Sequence, residues 1–178
     1  MLDDTHQTWL LQGRRKLFGY AYALCSDLPD AEDLYQDTVV RAMSATSVPG
    51  DAVAYRVWLF RIMRNLWIDR LRAQGRLPDF DDGAEIDDLP SAQGDDQVVN
   101  ALAIRQAFGK LSKPHREILA LVDICGFSYA ETSEMLGLAQ GTIMSRISRA
   151  RAALAAEMQA ERRVIAFPLR RAATGGAT

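Results

Sequence analysis

The segment Ser128–Leu154 constrains this chain more than any other, because it has the layout of a helix-turn-helix. Ser128 and Glu131 form the S-x-x-E pattern of a capping box, which marks the start of a helix. Gly137 follows about two helical turns later and suits the sharp bend between two crossing helices. The spacing therefore predicts a short helix, a turn and a second helix that begins near Gln140.

The second of these helices is predicted to be amphipathic. Apolar residues recur on one face at helical spacing: Ile143, Ile147, Ala150 and Leu154. The opposite face is polar and basic, with two residues at its flanks: Ser145, Ser148 and Arg149, flanked by Met144 and Arg146. The major groove of DNA accepts a helix whose polar side chains reach base edges and phosphates. We therefore predict DNA binding, and the alternative is an ordinary amphipathic surface helix.

Composition excludes several other classes of protein. The chain has 178 residues, of which 48% are hydrophobic and 25% charged, values typical of a globular protein with one or two small domains. No apolar run approaches the length of a membrane span, and the N-terminal residues lack the layout of a signal peptide. We therefore expect a cytoplasmic protein without a membrane segment.

The sequence lacks the patterns typical of catalysis and of metal binding. Cys25 and Cys125 stand alone in apolar surroundings, and His6 and His115 lie far apart. Neither metal-ligand spacings such as C-x-x-C nor glycine-rich phosphate loops occur. We expect buried free thiols, no catalytic residue, no metal or other cofactor, and no small-molecule substrate.

The net charge of -2 is unevenly distributed along the chain. Residues 74–98 contain eight acids and one base, Arg76; the rest of the chain holds 20 bases and 15 acids, a net charge of +5. A locally basic surface is what contact with DNA requires. The acidic segment is also rich in glycine and proline, which predicts a flexible linker.

The linker divides the sequence into two small domains that are both predicted to be all-α. The expected boundaries are a first domain over 1–73, the acidic linker over 74–97, a second domain over 98–162 and a tail over 163–178. Helices are predicted near 6–25, 30–45, 52–73, 96–110, 113–124, 129–136 and 140–160. Two core faces are expected: Trp9, Leu10, Leu17, Ala21 and Tyr22 in the first helix, and Trp58, Ile62 and Leu66 in the third.

Two surfaces of the first domain are candidates for binding. The third helix interleaves aromatic residues with arginines, which suits stacking on unpaired bases and contact with phosphates. Its candidate DNA contacts are Arg61, Arg64, Asn65 and Arg72. The second helix exposes a polar face that could dock another protein: Glu32, Asp33, Gln36, Asp37 and Arg41. The alternative for both is a solvated face over the core.

Three segments, in order and separated by the acidic linker, are similar to one known family. They are DAEDLYQDTVVRA, YRVWLFRIMRNLWIDRLR and LSKPHREILALVDICGFSYAETSEMLGLAQGTIMSRISRARAAL. Over residues 10–157 the chain resembles the extracytoplasmic-function (ECF) sigma factors, the smallest sigma subunits of bacterial RNA polymerase. GFSY and GTIMSRISRARAAL resemble the alphaproteobacterial general-stress branch of this family.

The resemblance implies roles for individual residues. The first domain corresponds to sigma region two and the second, with its helix-turn-helix, to sigma region four. The surface that grips core RNA polymerase would be Asp33, Gln36, Asp37 and Arg41. Contacts with the -10 element would come from Arg61, Arg64, Asn65 and Arg72, and the loop Ser44–Asp51 would capture a flipped base. Contacts with the -35 element would come from Thr142, Met144, Ser145, Arg146, Ser148 and Arg149.

The family also implies partners and leaves two alternatives. The expected partners are core RNA polymerase, promoter DNA and an inhibitory anti-sigma factor, and the acidic linker would run through a polymerase channel built for RNA phosphates. Met144 stands where many family members carry Lys or Arg, which removes one phosphate or guanine contact. The alternatives are a sigma-like decoy that binds only an anti-sigma factor, and a dimeric helix-turn-helix regulator acting without polymerase.

Overall fold

The structure is a computed structural model that describes residues 2–75 and 97–165. Within these ranges every regular element is helical, as predicted. We number the helices in chain order: α1 Asp4–Cys25, α2 Leu28–Met43, α3 Ala52–Ala73, α4 Gln97–Lys110, α5 Lys113–Leu119, α6 Tyr129–Leu136 and α7 Gln140–Ile165. Most of the predicted linker and tail, at 76–96 and 166–178, lies outside the described residues.

Side-chain caps explain where the helices begin. Asp3, Asp27 and Asp51 each accept a hydrogen bond from a backbone N–H in the first turn of α1, α2 and α3. A carboxylate there also interacts favourably with the positive end of the helix dipole. Because Asp27 supplies the cap, α2 begins at Leu28, two residues earlier than predicted. Ser112 caps α5, and the predicted capping box begins α6.

α1, α2 and α3 pack together around an aromatic and aliphatic core. Its fully buried members include Leu17, Tyr20, Leu34, Phe60 and Met63. The prediction that Tyr22 faces this core was wrong. Tyr22 is 42% exposed and Tyr20 is fully buried, because α1 packs against α2, α3 and α5, and its buried face is rotated from the one that the spacing suggested.

The predicted core face of α3 was only partly confirmed, because Trp58, Ile62 and Leu66 pack at the edge of the core. Trp58, Ile62 and Leu66 are only half-buried, whereas Leu59, Phe60, Met63 and Trp67 are buried. α3 is apolar around most of its circumference, so the sequence pattern does not identify the side that faces α1 and α2. Besides packing against the core, the three half-buried residues border a cleft.

The second half of the chain packs α4 and α5 against α7. Ile143, Ile147 and Ala150 of α7 are buried, which confirms the predicted apolar face, and Leu154 is half-buried. Gly137 ends α6 with a φ of 69°. Glycine adopts this left-handed conformation more readily than a residue with a Cβ atom, and the predicted turn is confirmed. Past Leu119, α5 continues as one π-helical turn, Ala120–Ile124, within the single helix predicted over 113–124.

The two halves share a hydrophobic core, which the sequence pattern did not indicate. Leu121, Cys125 and Met135 join the core built by α1, α2 and α3. The ring of Phe127 packs edge-on against Phe60 with 4.8 Å between centroids. The guanidinium carbon of Arg56 lies 4.2 Å from the centroid of the Phe127 ring. We call this contact between the halves the seam.

The two free cysteines should differ in reactivity because of the seam. Burial raises the pKa of the Cys25 thiol to about 11 and that of the Cys125 thiol to about 12. Thiolate is the reactive form, so at pH 8 iodoacetamide should modify Cys25 at least about tenfold faster than Cys125. Peptide mass spectrometry over a time course measures both rates. In urea the two rates should converge, and equal rates in the folded protein would contradict the packing of Cys125.

Candidate nucleic-acid and protein interfaces

The polar face of α7 is open at its predicted centre. Ser145 and Ser148 are exposed, and Met144 is 56% exposed. The Ser145 hydroxyl donates to the carbonyl oxygen of Thr142 at 3.0 Å, which fixes the serine rotamer. Thr142 and Arg149 are half-buried at the edges of the same face. The buried side of α7 holds it on its domain and leaves these five side chains on one accessible strip.

Arg146 differs from the other residues predicted to contact the -35 element. Arg146 is buried, with 8% of its surface exposed, whereas the sequence pattern predicted it at the flank of the open face. The arrangement seen here therefore presents five of the six predicted residues and withholds Arg146.

The four residues of α3 predicted to contact the -10 element fall into two pairs. Asn65 and Arg72 are exposed, and Arg72 contacts Asp69 at 3.4 Å within its own helix. Arg61 and Arg64 instead face the second half of the chain. The alternative of a solvated face therefore does not hold for Arg64, whose side chain is 14% exposed.

Arg64 takes part in a buried ion pair across the seam. Its Nε donates to Oε1 of Glu117 at 2.7 Å, and Glu117 is 3% exposed. The same oxygen accepts a hydrogen bond from the Tyr20 hydroxyl at 3.1 Å. Burial, together with the charge of Glu117, raises the pKa of Tyr20 well above its usual value, so the phenol remains a donor. Glu117 of α5 thus binds two helices of the first half.

Two further ion pairs connect α3 to the first helix of the helix-turn-helix. Arg56 donates to Glu131 at 3.1 Å, and Arg61 donates to Glu134 at 3.0 Å. Burial raises the pKa of Glu131, but hydrogen bonds from the Ser128 N–H and hydroxyl and from Arg56 outweigh it and lower the pKa overall. Arg61 and Arg64, which are both predicted to contact DNA, therefore face carboxylates of the second half of the chain.

A cleft of about 820 Å³ opens between the end of α2, the following loop and the exposed side of α3. Its lining residues are Arg41, Ser44, Ala45, Thr46, Ser47, Trp58, Ile62, Asn65, Leu66 and Asp69. The cleft thus combines an aromatic and aliphatic wall with hydroxyl, amide and charged groups. Such a combination suits a flat ring with a polar edge, such as a nucleobase. The loop was predicted for this role, but the wall formed by Trp58, Ile62 and Leu66 was missed.

The outer face of α2 carries all four residues predicted to contact polymerase in exposed positions: Asp33, Gln36, Asp37 and Arg41. Asp37 accepts a hydrogen bond from Arg70 of α3 at 2.5 Å, so its carboxylate is held in place. Two apolar side chains missed from the sequence lie on the same exposed face. Val40 is 65% exposed and Met43 is 54% exposed. Apolar anchors among polar groups are typical of protein interfaces.

None of the helices in residues 2–75 and 97–165 is long and apolar enough to cross a membrane. Among the same residues, no cluster of three or more His, Cys, Asp or Glu side chains is placed to hold a metal ion.

Two family models match the chain in the order of the two halves. The model described as Sigma-70 region 2 matches residues 10–77, and the model described as Sigma-70, region 4 matches residues 101–154. A relative named ECF RNA polymerase sigma factor EcfG, from Rhodopseudomonas palustris (strain TIE-1), is 34% identical over 155 residues. That match covers 87% of this chain and 86% of the relative.

Solved structures are similar over nearly the same span. One is the sigma factor RpoE in complex with the anti-sigma factor NepR from Bartonella quintana, with a TM-score of 0.68 and 32% identity; the match covers 89% of this chain and 98% of RpoE. Another is CnrH in complex with the cytosolic domain of CnrY, with a TM-score of 0.61 and 28% identity over 88% of each chain. With both regions present in order and this identity over most of its length, the chain belongs to the ECF RNA polymerase sigma factors.

Proposed function

We propose that this protein binds core RNA polymerase, directs it to promoters with spaced -10 and -35 elements, and nucleates strand opening there. Two surfaces on one chain carry the proposal. One is a helix-turn-helix with an open polar face, and the other is a cleft lined by Trp58 and by residues 44–47 of the loop Ser44–Asp51. One surface suits duplex DNA and the other suits an unpaired base.

Run-off transcription tests this function directly. Purified full-length protein is added to core polymerase and a promoter library, and transcripts are sequenced. Promoter-specific initiation that depends on the added protein is expected. A chain that binds DNA without polymerase, or that binds only an anti-sigma factor, would give no such transcripts, and that result would reject the proposal.

We assign the surfaces as follows. Residues 1–73 act as region two, with core polymerase meeting Asp33, Gln36, Asp37 and Arg41 and the -10 element meeting Arg61, Arg64, Asn65 and Arg72. Residues 98–162 act as region four, with the -35 element meeting Thr142, Met144, Ser145, Arg146, Ser148 and Arg149. Support comes from the exposure of most of these groups and from the match of both regions to the family.

The closed arrangement is the polymerase-free form in this proposal. Arg61 and Arg64 pair with Glu134 and Glu117 of the second half. These carboxylates bind the guanidinium groups that would otherwise bind DNA phosphates. The seam also brings α3 next to α6, whereas a promoter separates the two elements along the duplex. The halves must therefore part before both can bind one promoter.

An anti-sigma factor is the proposed inhibitor of this chain. RpoE, which resembles it over most of its length, was solved in complex with the anti-sigma factor NepR, and CnrH was solved in complex with the cytosolic domain of CnrY. A partner that binds the outer face of α2 would block polymerase, and exposed Val40 and Met43 offer it apolar contact area. A pull-down from non-inducing cells should recover such a partner. If a Val40→Glu, Met43→Glu double variant retained the partner fully, α2 would not be its binding face.

Arg149 provides a test of the helix-turn-helix assignment. Arg149→Ala should weaken recognition of the -35 element by about 1–3 kcal/mol if the side chain contacts a base, and the loss should depend on the upstream sequence. Transcription from promoters with each base changed in turn measures this dependence. The matched control is Arg151→Ala, since Arg151 lies two residues away but forms a two-bond ion pair with Asp123. An equal loss on every upstream sequence would make Arg149 a phosphate contact.

A further inference from the structure

The first turn of α1 contacts the middle of the loop Ser44–Asp51. Nε2 of His6 lies 3.0 Å from the carbonyl oxygen of Pro49, which is 43 residues further along the chain. A carbonyl oxygen can only accept, so this contact requires a hydrogen on Nε2. On the other side of the ring, Nδ1 of His6 lies 2.6 Å from Oδ1 of Asp3, the residue that caps α1.

The His6 ring is also packed into a row of aromatic side chains that leads to the cleft. Its centroid is 5.3 Å from that of Trp9 and 5.2 Å from that of Tyr55. Tyr55 in turn packs against Trp58 at 5.6 Å, and Trp58 lines the cleft. The side chain of His6 is 13% exposed, so its position is well determined by its neighbours. His6 thus contacts both the loop and the aromatic row behind the cleft wall.

The ends of this loop are held by the helices they join. The Ser44 N–H donates to the carbonyl oxygen of Val40, and Asp51 caps α3 through Val53 and Ala54. The bond from His6 holds the loop between these ends. Without this hydrogen bond, the segment between the cleft-lining residues Thr46 and Ser47 and the start of α3 would lose a long-range contact. The loop would then have to become ordered when the ligand binds, which lowers the affinity.

We propose that His6 is a positioning residue for promoter opening, which holds the loop Ser44–Asp51 in the shape that receives an unpaired base. The inference rests on the proposed function, because that function assigns the cleft to the -10 strand. It adds a residue that the family match does not include, since the region 2 model begins at residue 10. Because His6 borders neither the cleft nor the α7 face, it acts through the loop.

Two variants separate the hydrogen bond from the ring packing. His6→Phe keeps an aromatic ring and removes the donor, whereas His6→Gln keeps an N–H donor in a similar place and removes the ring. The matched control is Gln7→Ala, at a neighbouring position whose side chain donates within the N-terminal turn to the Leu2 carbonyl oxygen. Circular dichroism checks that the variants retain their helices.

The full-length variants are assayed with core polymerase on a duplex promoter and on the same promoter with the -10 region pre-opened by mismatches. We expect His6→Phe to lower the initiation rate on the duplex about tenfold, as loss of one hydrogen bond to a loop allows, and to approach the unsubstituted protein on the pre-opened template. His6→Gln should resemble the Gln7→Ala control on both templates.

Three results would overturn the inference. His6→Phe could behave as the unsubstituted protein on the duplex, or lose activity equally on both templates, or prove less harmful than His6→Gln. The last result would assign the effect to ring packing. Failure of the proposed function itself would look different, since the unsubstituted protein would then start no promoter-specific transcripts on either template.

Discussion

Glu117→Ala is expected to separate the two halves of the protein while each half keeps its helices. The carboxylate of Glu117 is buried and accepts hydrogen bonds from Arg64 and Tyr20, which both belong to the first half. Removing one member of a buried ion pair destabilises the arrangement that buries the other, here by about 3 kcal/mol. In the open form Arg64 is hydrated, so Glu117→Ala destabilises only the closed form. The closed-to-open ratio therefore shifts about a hundredfold toward the open form.

Small-angle X-ray scattering measures this opening as an increase in the radius of gyration, and circular dichroism reports the helical content. Alkylation of Cys125 is a second measure, because opening the seam exposes that thiol. The matched control is Glu134→Ala. Glu134 also pairs with an arginine of α3, but the two side chains are 71% and 42% exposed, so the pair is worth less than about 1 kcal/mol.

Two outcomes would contradict this account of the seam. An unchanged radius of gyration together with an unchanged alkylation rate would mean that apolar packing alone holds the halves together. A loss of helical content would mean that Glu117 is needed for the second half to fold. If the expected opening occurs, Glu117→Ala should also bind -10 DNA more readily in the absence of polymerase, since Arg61 and Arg64 become available.

Trp58→Ala should weaken binding of single-stranded -10 DNA to the polymerase complex by about 2–3 kcal/mol, which is roughly 30- to 150-fold. Stacking of a base on an aromatic ring accounts for this range, and Trp58 is the one aromatic ring that lines the cleft among the described residues. Fluorescence anisotropy of a labelled oligonucleotide of the non-template strand measures the affinity. The duplex -35 element should be bound as before, because α7 is unchanged.

The matched control for this prediction is Val53→Ala. Val53 lies on the same helix and is 61% exposed, but it does not line the cleft. Trp58→Phe should recover most of the affinity, because a smaller ring still stacks. If Trp58→Ala left the affinity for the single strand unchanged, the flipped base would have to bind at another surface. A parallel loss of -35 binding would indicate a general defect instead.

Local sequence signals predicted the elements that local chemistry controls. The capping box at Ser128 and Glu131, the cap at Ser112 and the left-handed turn at Gly137 all involve residues within a few positions of one another. Such contacts form without help from the rest of the chain, so their spacing identifies them. The apolar face of α7 was predictable for a related reason, since one side of that helix packs on its domain and the other is polar.

Contacts between distant residues were not predictable in this way. The order of three motifs and an acidic segment by itself determined the fold class and the family, and it predicted a general location for each binding surface. Only the tertiary structure decided that Tyr20 rather than Tyr22 is buried, that Trp58 lines a cleft, and that Arg64 faces Glu117. Each of these features depends on which helix packs on which side of another. α3 is apolar around most of its circumference, so it carries no periodic signal that distinguishes a core face from a seam or a cleft.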